Sequence, residues 1–338
     1  MRYEPKPEFI ERIKKLIGDK DTEEFFKISH TETPDSIRCN TLKISPSELK
    51  KKLEARGWKI RQPFSDYPEI MIVEQSSNLL PGELGKSKEH LLGYFYVQEI
   101  SSMLPILALK PSKEDVLLDL CASPGSKTTQ AAAMMNNSGT IIANDNDGGR
   151  IAILASNLEK CGVMNTIVTK RDGVQMCQVL EKAHISFDKI LVDAPCSGEG
   201  TLRKSPKTFL MWNVKAIEKL SRVQRKLASS ALKILKVGGE MIYSTCTLSP
   251  EEDEGVVNYL IENFDIEIET INLPLKLRPA IKNWEKEEFS SEVCKACRLY
   301  PMDNNTDGFF LCKIKKLSNK GCESIFQDEE IKQIGVER

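Results

Sequence analysis

From Val116 the chain alternates short runs rich in Ile, Val and Leu with longer amphipathic stretches: VLLDL, TTQAAAMM, TIIAN, GRIAILASNLEKCG, NTIVT, VQMCQVLEKA and FDKILVD. Continuous apolar runs bounded by segments of helical periodicity predict parallel strands joined by right-handed crossovers, with helices covering both faces of the sheet. A helix over VKAIEKLSRVQRKLASSALKIL, a strand EMIYST, a helix over EEDEGVVNYLIENF and a late strand GFFLCKIKK extend the series. The pattern predicts a doubly wound α/β domain over residues 96–316, followed by a polar tail over 317–338.

Upstream the period changes. Phe9, Ile13, Leu16, Ile17, Phe25 and Phe26 recur at helical spacing before Pro34, which predicts a small helical cap. SIRCNTLK then reads as a strand, and SPSELKKKLEARG as a helix with Ser45 or Ser47 at its N-cap and Gly57 at its end. WKIRQ and EIMIVEQ follow as strands. These elements predict a small α+β lobe of ferredoxin-like or RNA-recognition type, so that residues 1–95 hold the cap and the lobe. The Pro81-Gly82 turn and LLGYFYVQEISSMLPILAL read as the bridge into the second domain.

Charge changes this picture little. Lys and Arg number 48 against 49 Asp and Glu, a net charge of -1, so any nucleic-acid binding must come from a local basic face. Lys50, Lys51, Lys52, Arg56, Lys59 and Arg61 with Trp58 would suit a phosphate-contacting face, or equally a solvated helix face. Arg203, Lys204 and Lys207 form a second basic group. No apolar run approaches the roughly 18 residues of a membrane span, and the N-terminus lacks a signal peptide's apolar stretch, which predicts a cytoplasmic protein with no membrane partner. Ten scattered cysteines then read as free thiols. Cys294 and Cys297 have metal-ligand spacing, but no second pair stands at suitable spacing, so no metal is expected.

In open α/β sheets ligands bind at the carboxyl ends of the strands, and four acids stand there: Asp119, Asp145, Asp172 and Asp193. Each alone could be a helix N-cap. Together they suggest a bound nucleoside, with Asp145, 20 positions after Gly125, able to reach ribose hydroxyls. Asp119 opens the turn Cys121-Ala122-Ser123-Pro124-Gly125-Ser126-Lys127, which feeds a helix N-terminus without the glycine-rich dinucleotide fingerprint. That departure favours a nucleoside without phosphates, and S-adenosylmethionine is one.

The next strands end in Asp193-Ala194-Pro195-Cys196-Ser197-Gly198 and Ser244-Thr245-Cys246-Thr247, so two thiols face the same crevice. Either cysteine could be a small buried apolar residue. Carbon 5 of a pyrimidine, however, is a poor nucleophile until a thiolate adds to carbon 6, and a second polar group helps to undo that adduct.

DLCASPGSKT, DAPCSGEGTLRK and YSTCTLSPEEDEGVV, in this order, with RCNTLK upstream and RLYPMDNNTDGFF downstream, resemble the motifs of the Nop/Sun-domain RNA cytosine-5 methyltransferases. The resemblance spans about residues 10–316 and implies a Rossmann-like methyltransferase domain using S-adenosylmethionine. It implies that Cys246 attacks the base and that Cys196 assists product release. It assigns Cys121, Ala122, Ser123, Pro124, Gly125, Ser126, Lys127, Asp145, Arg150, Asp172 and Asp193 to the cofactor. It places Lys127 and Asp193 where cofactor and cytosine meet, with their proton roles open. Ser123 and Ser126 stand where the family usually has Ala and Gly. GEGTLRK is most similar to the tRNA-modifying branch, so tRNA is expected first, rRNA second and DNA not at all. A paired target base would have to leave its stack to reach the crevice. A non-catalytic RNA-binding scaffold would have lost the nucleophile or a cofactor acid, and this chain retains them.

Overall fold

A computed structural model describes residues 4–74 and 82–322. Gln75 of the expected third strand, Pro81 of the expected turn and residues 323–338 of the expected tail lie outside the described residues.

The first sheet contains strands β1 (Asp35–Cys39), β2 (Ile60–Arg61), β3 (Ile70–Val73) and β4 (Phe95–Val97), in the order β2-β3-β1-β4 and antiparallel throughout. The helix Pro46–Ala55 starts at a capping box, in which the Ser45 hydroxyl accepts from the Glu48 amide and Glu48 reaches back to the Ser45 amide. Its Leu49 and Leu53 pack on Ile37, Met71 and Phe95. Two expectations are corrected. Strand β1 ends at Cys39, because the Asn40 carbonyl closes a turn, accepting from the Lys43 (3.0 Å) and Ile44 (3.1 Å) amides, while its side chain donates to the Gly93 and Cys161 carbonyls (both 2.8 Å). The stretch read as a bridge contains β4, which returns to pair with β1 before the helix Ile100–Leu109 begins.

The second sheet runs β11-β14-β15-β9-β8-β5-β6-β7, with β10 also on β15. Its strands are β5 (Val116–Asp119), β6 (Thr140–Asp145), β7 (Thr166–Lys170), β8 (Phe187–Asp193), β9 (Leu235–Thr245), β10 (Ile266–Glu269), β11 (Arg278–Pro279), β14 (Cys297–Leu299) and β15 (Phe309–Lys316). A separate hairpin joins β12 (Asn283–Trp284) to β13 (Glu287–Glu288). β5 to β9 pair in parallel, and β15 lies antiparallel against β9. The chain winds outward from β5 through β7, then crosses back to β8, so strand order reverses between β5 and β8. The crevice of a doubly wound sheet opens at such a reversal.

Side-chain alternation covers both faces. Leu117, Leu191, Ile242 and Leu311 pack on Ile100–Leu109 and Ser126–Met134, whereas Leu118, Ile190, Met241 and Phe310 pack under Gly173–Lys182, Val214–Ile234 and Glu254–Asn263. The helix expected from Glu251 begins only at Glu254. The carboxylates of Glu252 and Asp253 are buried in the preceding turn, where loop donors hold them. β9 starts at Leu235, five residues before the expected EMIYST strand; Gly238 and Gly239 bulge between its first pairing and the rest.

The helical cap, Pro7–Ile17 and Asp19–Ser29, packs against the second domain. Phe9, Ile13 and Phe25 share a core with Leu202, Phe209, Trp212, Leu248 and Tyr300. Phe9 meets the Trp212 ring edge-on at 5.4 Å, and Arg12 pairs with Glu251 at 2.8 Å. The cap thereby braces the loops that follow β8 and β9.

Candidate active site

β5, β6, β8 and β9 deliver their C-terminal residues to one cavity of about 690 Å³. Cys121, Ser123, Asp145, Arg150, Asp172, Asp193, Cys196 and Cys246 all line it. A neighbouring cavity of about 280 Å³ shares Cys121, Ser123 and Asp193 and adds Ala122, Pro124, Ser126 and Lys127 with Gln98 and Glu99. Gly125 lines neither; it starts the helix Ser126–Met134 at φ +99°, and a Cβ there would stand 2.9 Å from Leu154.

The four strand-end acids have different partners. Asp145 is 3% exposed and accepts from the backbone amides of Ser123 (3.2 Å) and Asp147 (3.1 Å), with the Arg150 guanidinium 3.5 Å away. Asp147, not Asp145, caps the following helix. Asp172 does act as an N-cap, accepting from the Val174 and Gln175 amides. Asp119 accepts from the Thr128 hydroxyl at 2.7 Å, and burial pushes its carboxyl up to about 7. Asp193 binds the Lys127 ammonium at 2.7 Å and the Ser244 hydroxyl at 2.8 Å. Lys127 also donates to Ser102 at 3.0 Å.

The Cys196 and Cys246 sulfurs lie 3.1 Å apart, as free thiols. The Cys246 sulfur beside it, and then burial, hold the Cys196 thiol well above the usual thiol range, so it stays protonated at neutral pH. Burial likewise pushes the Cys121 thiol up. The backbone sets the cysteine spacing: the Gly200 amide donates to the Cys246 carbonyl at 2.8 Å, and the Gly308 amide to the Gly200 carbonyl at 2.9 Å.

Residues that sequence reasoning did not single out hold this arrangement. Glu199, buried beside the two loops, accepts from Trp212, Ser249 and Thr247. Arg298 bonds Glu254 (2.6 Å) and the Leu248 carbonyl (3.0 Å). Arg38 of β1 crosses to the Ser126 carbonyl (2.6 Å) and Thr129 hydroxyl (2.7 Å), tying the small lobe to the cofactor-side turn. The acidic signal in SPEEDE and the Arg in RCNTLK were visible in sequence, but their partners are distant along the chain.

The basic groups are corrected in part. Trp58 is a core residue of the small lobe, so it presents no ring to a ligand. Arg56 pairs with Glu89 (2.7 Å) and Arg61 with Glu74 (3.6 Å), while Lys51 and Lys52 are exposed. Arg203 is spent on Thr31, Glu32, Asn305 and Thr306, and Lys204 on Asp307; Lys207 is exposed. Among the described residues no helix is long and apolar enough to cross a membrane.

The family model described as 16S rRNA methyltransferase RsmB/F matches residues 106–315, and that for the N-terminal domain of 16S rRNA methyltransferase RsmF matches 6–100. A tRNA (cytosine(49)-C(5))-methyltransferase of Pyrococcus abyssi is 39% identical over 91% of this chain and 95% of its own length. A ribosomal RNA small subunit methyltransferase F of Vibrio campbellii is 37% identical over 92% of this chain, which spans only 63% of that relative. A methyltransferase homologue from Pyrococcus horikoshii superposes with a TM-score of 0.80 at 34% identity, covering 94% of this chain and 97% of the other. NSun6 from Pyrococcus horikoshii, solved with the S-adenosylmethionine analogue SFG, gives 0.80 at 28% identity, covering 93% and 98%.

Proposed function

The chain belongs to the RsmB/F family of S-adenosylmethionine-dependent RNA cytosine-5 methyltransferases, and from that membership we infer that it methylates cytosine in tRNA through a Cys246 adduct. The observation that carries the mechanism is the pair of sulfurs 3.1 Å apart in a cavity also lined by Asp145 and Asp193. A scaffold needs no such pair.

The cavity residues fit the cofactor. Asp145 offers a carboxylate suited to ribose hydroxyls, and Asp119 Oδ1 and Ser123 Oγ are buried without a hydrogen-bond partner in the protein. Val223 and Leu227 would offer an adenine ring apolar surface, and Asp172 and Arg150 line the same cavity. Residues 121–127 contribute the turn at the helix N-terminus. Bound S-adenosylmethionine supplies an electrophilic methyl group carried on a sulfonium.

In the proposed reaction the Cys246 thiolate adds to carbon 6 of the cytosine, forming an S–C6 bond and making carbon 5 nucleophilic. The Lys127 ammonium and Asp193 carboxylate provide a donor and an acceptor for the polar edge of the base, held in place by Ser102 and Ser244. After carbon 5 is methylated its proton passes to the Cys196 sulfur as that residue gives up its own proton, the S–C6 bond breaks and the C5–C6 double bond is restored. The Cys196 S–H donates to the departing sulfur, which makes Cys246 a better leaving group.

Two features support tRNA: the GEGTLRK segment after Cys196, and 39% identity over 91% of this chain to the Pyrococcus tRNA enzyme. We assign the chain to the cytoplasm on the strength of its RNA-modifying relatives. Incubation with separated tRNA and 16S rRNA and labelled cofactor, followed by mapping of 5-methylcytosine, tests the substrate. Label in tRNA alone is the expected result, and label confined to rRNA would overturn it.

A further inference from the structure

Cys196 lies on an irregular loop, yet its sulfur must stay within contact of Cys246 through every turnover. Main-chain groups on both sides of it are gripped by two fully buried polar residues from other elements. The Ser197 amide donates to Glu252 Oε2 at 3.0 Å. Gln224 Nε2, from the helix Val214–Ile234, donates to the Pro195 carbonyl at 2.9 Å and to the same Glu252 oxygen at 2.7 Å. Glu252 is fixed in turn, because its own carbonyl accepts from the Tyr243 hydroxyl at 2.6 Å. Neither Gln224 nor Glu252 lines the cavity, and both are wholly inaccessible, so neither touches the base or the cofactor.

We propose that Gln224 and Glu252 are positioning residues for the release step, clamping Pro195 and Ser197 so that the Cys196 thiol faces the Cys246 sulfur. Glu252 comes from the turn after β9, six residues past Cys246, so the clamp fastens the loop of one cysteine to the loop of the other. A buried carboxylate and amide are costly to desolvate and give little net stability even when paired. Their geometry converts that cost into a fixed sulfur-to-sulfur distance, and a displacement of about 1 Å in a catalytic group can lower a rate roughly a hundredfold. Gln224 is also flanked in its helix by cavity-lining Val223, Lys226 and Leu227, so the clamp is anchored on a wall of the cofactor site. The role rests on the release function proposed for Cys196.

The test uses the full-length protein with substrate RNA and S-adenosylmethionine. Gln224→Met keeps the side-chain length and removes the donor. Single-turnover methyl transfer, multiple-turnover rate and the denaturant-resistant RNA–protein adduct are measured beside wild type and Cys196→Ala. The clamp predicts single-turnover transfer within about threefold of wild type, multiple turnover down roughly tenfold or more, and adduct accumulating as in Cys196→Ala. Loss of both rates in parallel without extra adduct, or no change in either, would overturn it. Should Gln224→Met fail to fold, Glu252→Met decides: it removes the one oxygen to which both the Ser197 amide and Gln224 donate, so excess adduct supports the clamp and its absence refutes it. Failure of Cys196→Ala itself to trap adduct would refute the release reading, and the clamp with it. A trapping Cys196→Ala beside a non-trapping Gln224→Met refutes the clamp alone.

Discussion

Replacing Arg298 by Met should destabilise the protein through a charge left behind. Arg298 is 1% exposed, donates to Glu254 Oε1 at 2.6 Å and lies 3.5 Å from Asp253. Burial raises the Asp253 carboxyl, and Glu254 is the nearer partner, bonded by both Nε and Nη2 of the guanidinium, so the Arg298–Glu254 pair is the one the substitution breaks. Removing one partner of a buried pair costs about 3–5 kcal/mol. At about 2–4 °C per kcal/mol for a unit of this size, Tm should fall by roughly 6–20 °C. Glu254 Oε1 also accepts from the Ile281 amide at 3.0 Å, so Arg298→Met combined with Glu254→Gln removes the orphaned charge while keeping that bond. The double variant should recover about half of the loss, as scanning calorimetry of the three proteins would show. A single-variant shift under about 3 °C, or a double variant less stable than the single one, would refute the unpaired-charge argument. The Leu248 carbonyl, two residues beyond Cys246, also loses its 3.0 Å donor, so methylation should fall with stability.

Three further outcomes follow from the geometry. Asp145→Asn should weaken adenosylhomocysteine binding about 10- to 100-fold by calorimetry, the worth of a charge-assisted hydrogen bond at about 1.5–3 kcal/mol, and should lower Tm as well, because both carboxylate oxygens accept backbone amides and the Asn NH2 would face one of them. Burial raises Asp119 and Glu252 to about 7, so the folded protein holds extra protons between about pH 4 and 7. The stability linked to those protons is whole below pH 4 and is lost as pH rises through 7; Asp119→Asn should therefore flatten the fall in Tm between pH 5.5 and about 8. Gly200→Ala would put a Cβ 2.1 Å from the Gly308 carbonyl oxygen and 2.8 Å from that of Cys246, both backbone. The loops must part, and methylation should drop about a hundredfold with RNA binding retained; activity within threefold of wild type would contradict the close approach.

The sheet and its ligand end were legible because both signals are local. Apolar runs set β5 to β9, and the residues just after each strand were the ones delivered to the cavity. What sequence did not reveal depends on distant partners. β4 was hidden inside an apolar stretch, since nothing in FYV announces that it pairs with Ile37, Arg38 and Cys39. Trp58 lay among basic residues and looked like a contact surface, but its ring closes the small lobe's core. Arg203 stood beside the Cys196 motif and looked like a free cation until Thr31 and Asn305 came to meet it. The acids of SPEEDE read as the first turn of a helix, whereas Glu252 and Glu254 are buried, the first bonded to Gln224 and Ser197 and the second to Arg298, beside both cysteine loops.

The direct test of the account is the adduct. Wild type, Cys246→Ala, Cys196→Ala and the double variant are incubated with total RNA and labelled S-adenosylmethionine, then resolved under denaturing conditions, and the bound RNA is sequenced. The sulfur pair predicts an RNA–protein adduct that accumulates in Cys196→Ala and vanishes in the double variant, no 5-methylcytosine from Cys246→Ala, and tRNA as the trapped species. Methylation surviving in Cys246→Ala, or an adduct persisting in the double variant, would contradict the assignment of Cys246 as the nucleophile.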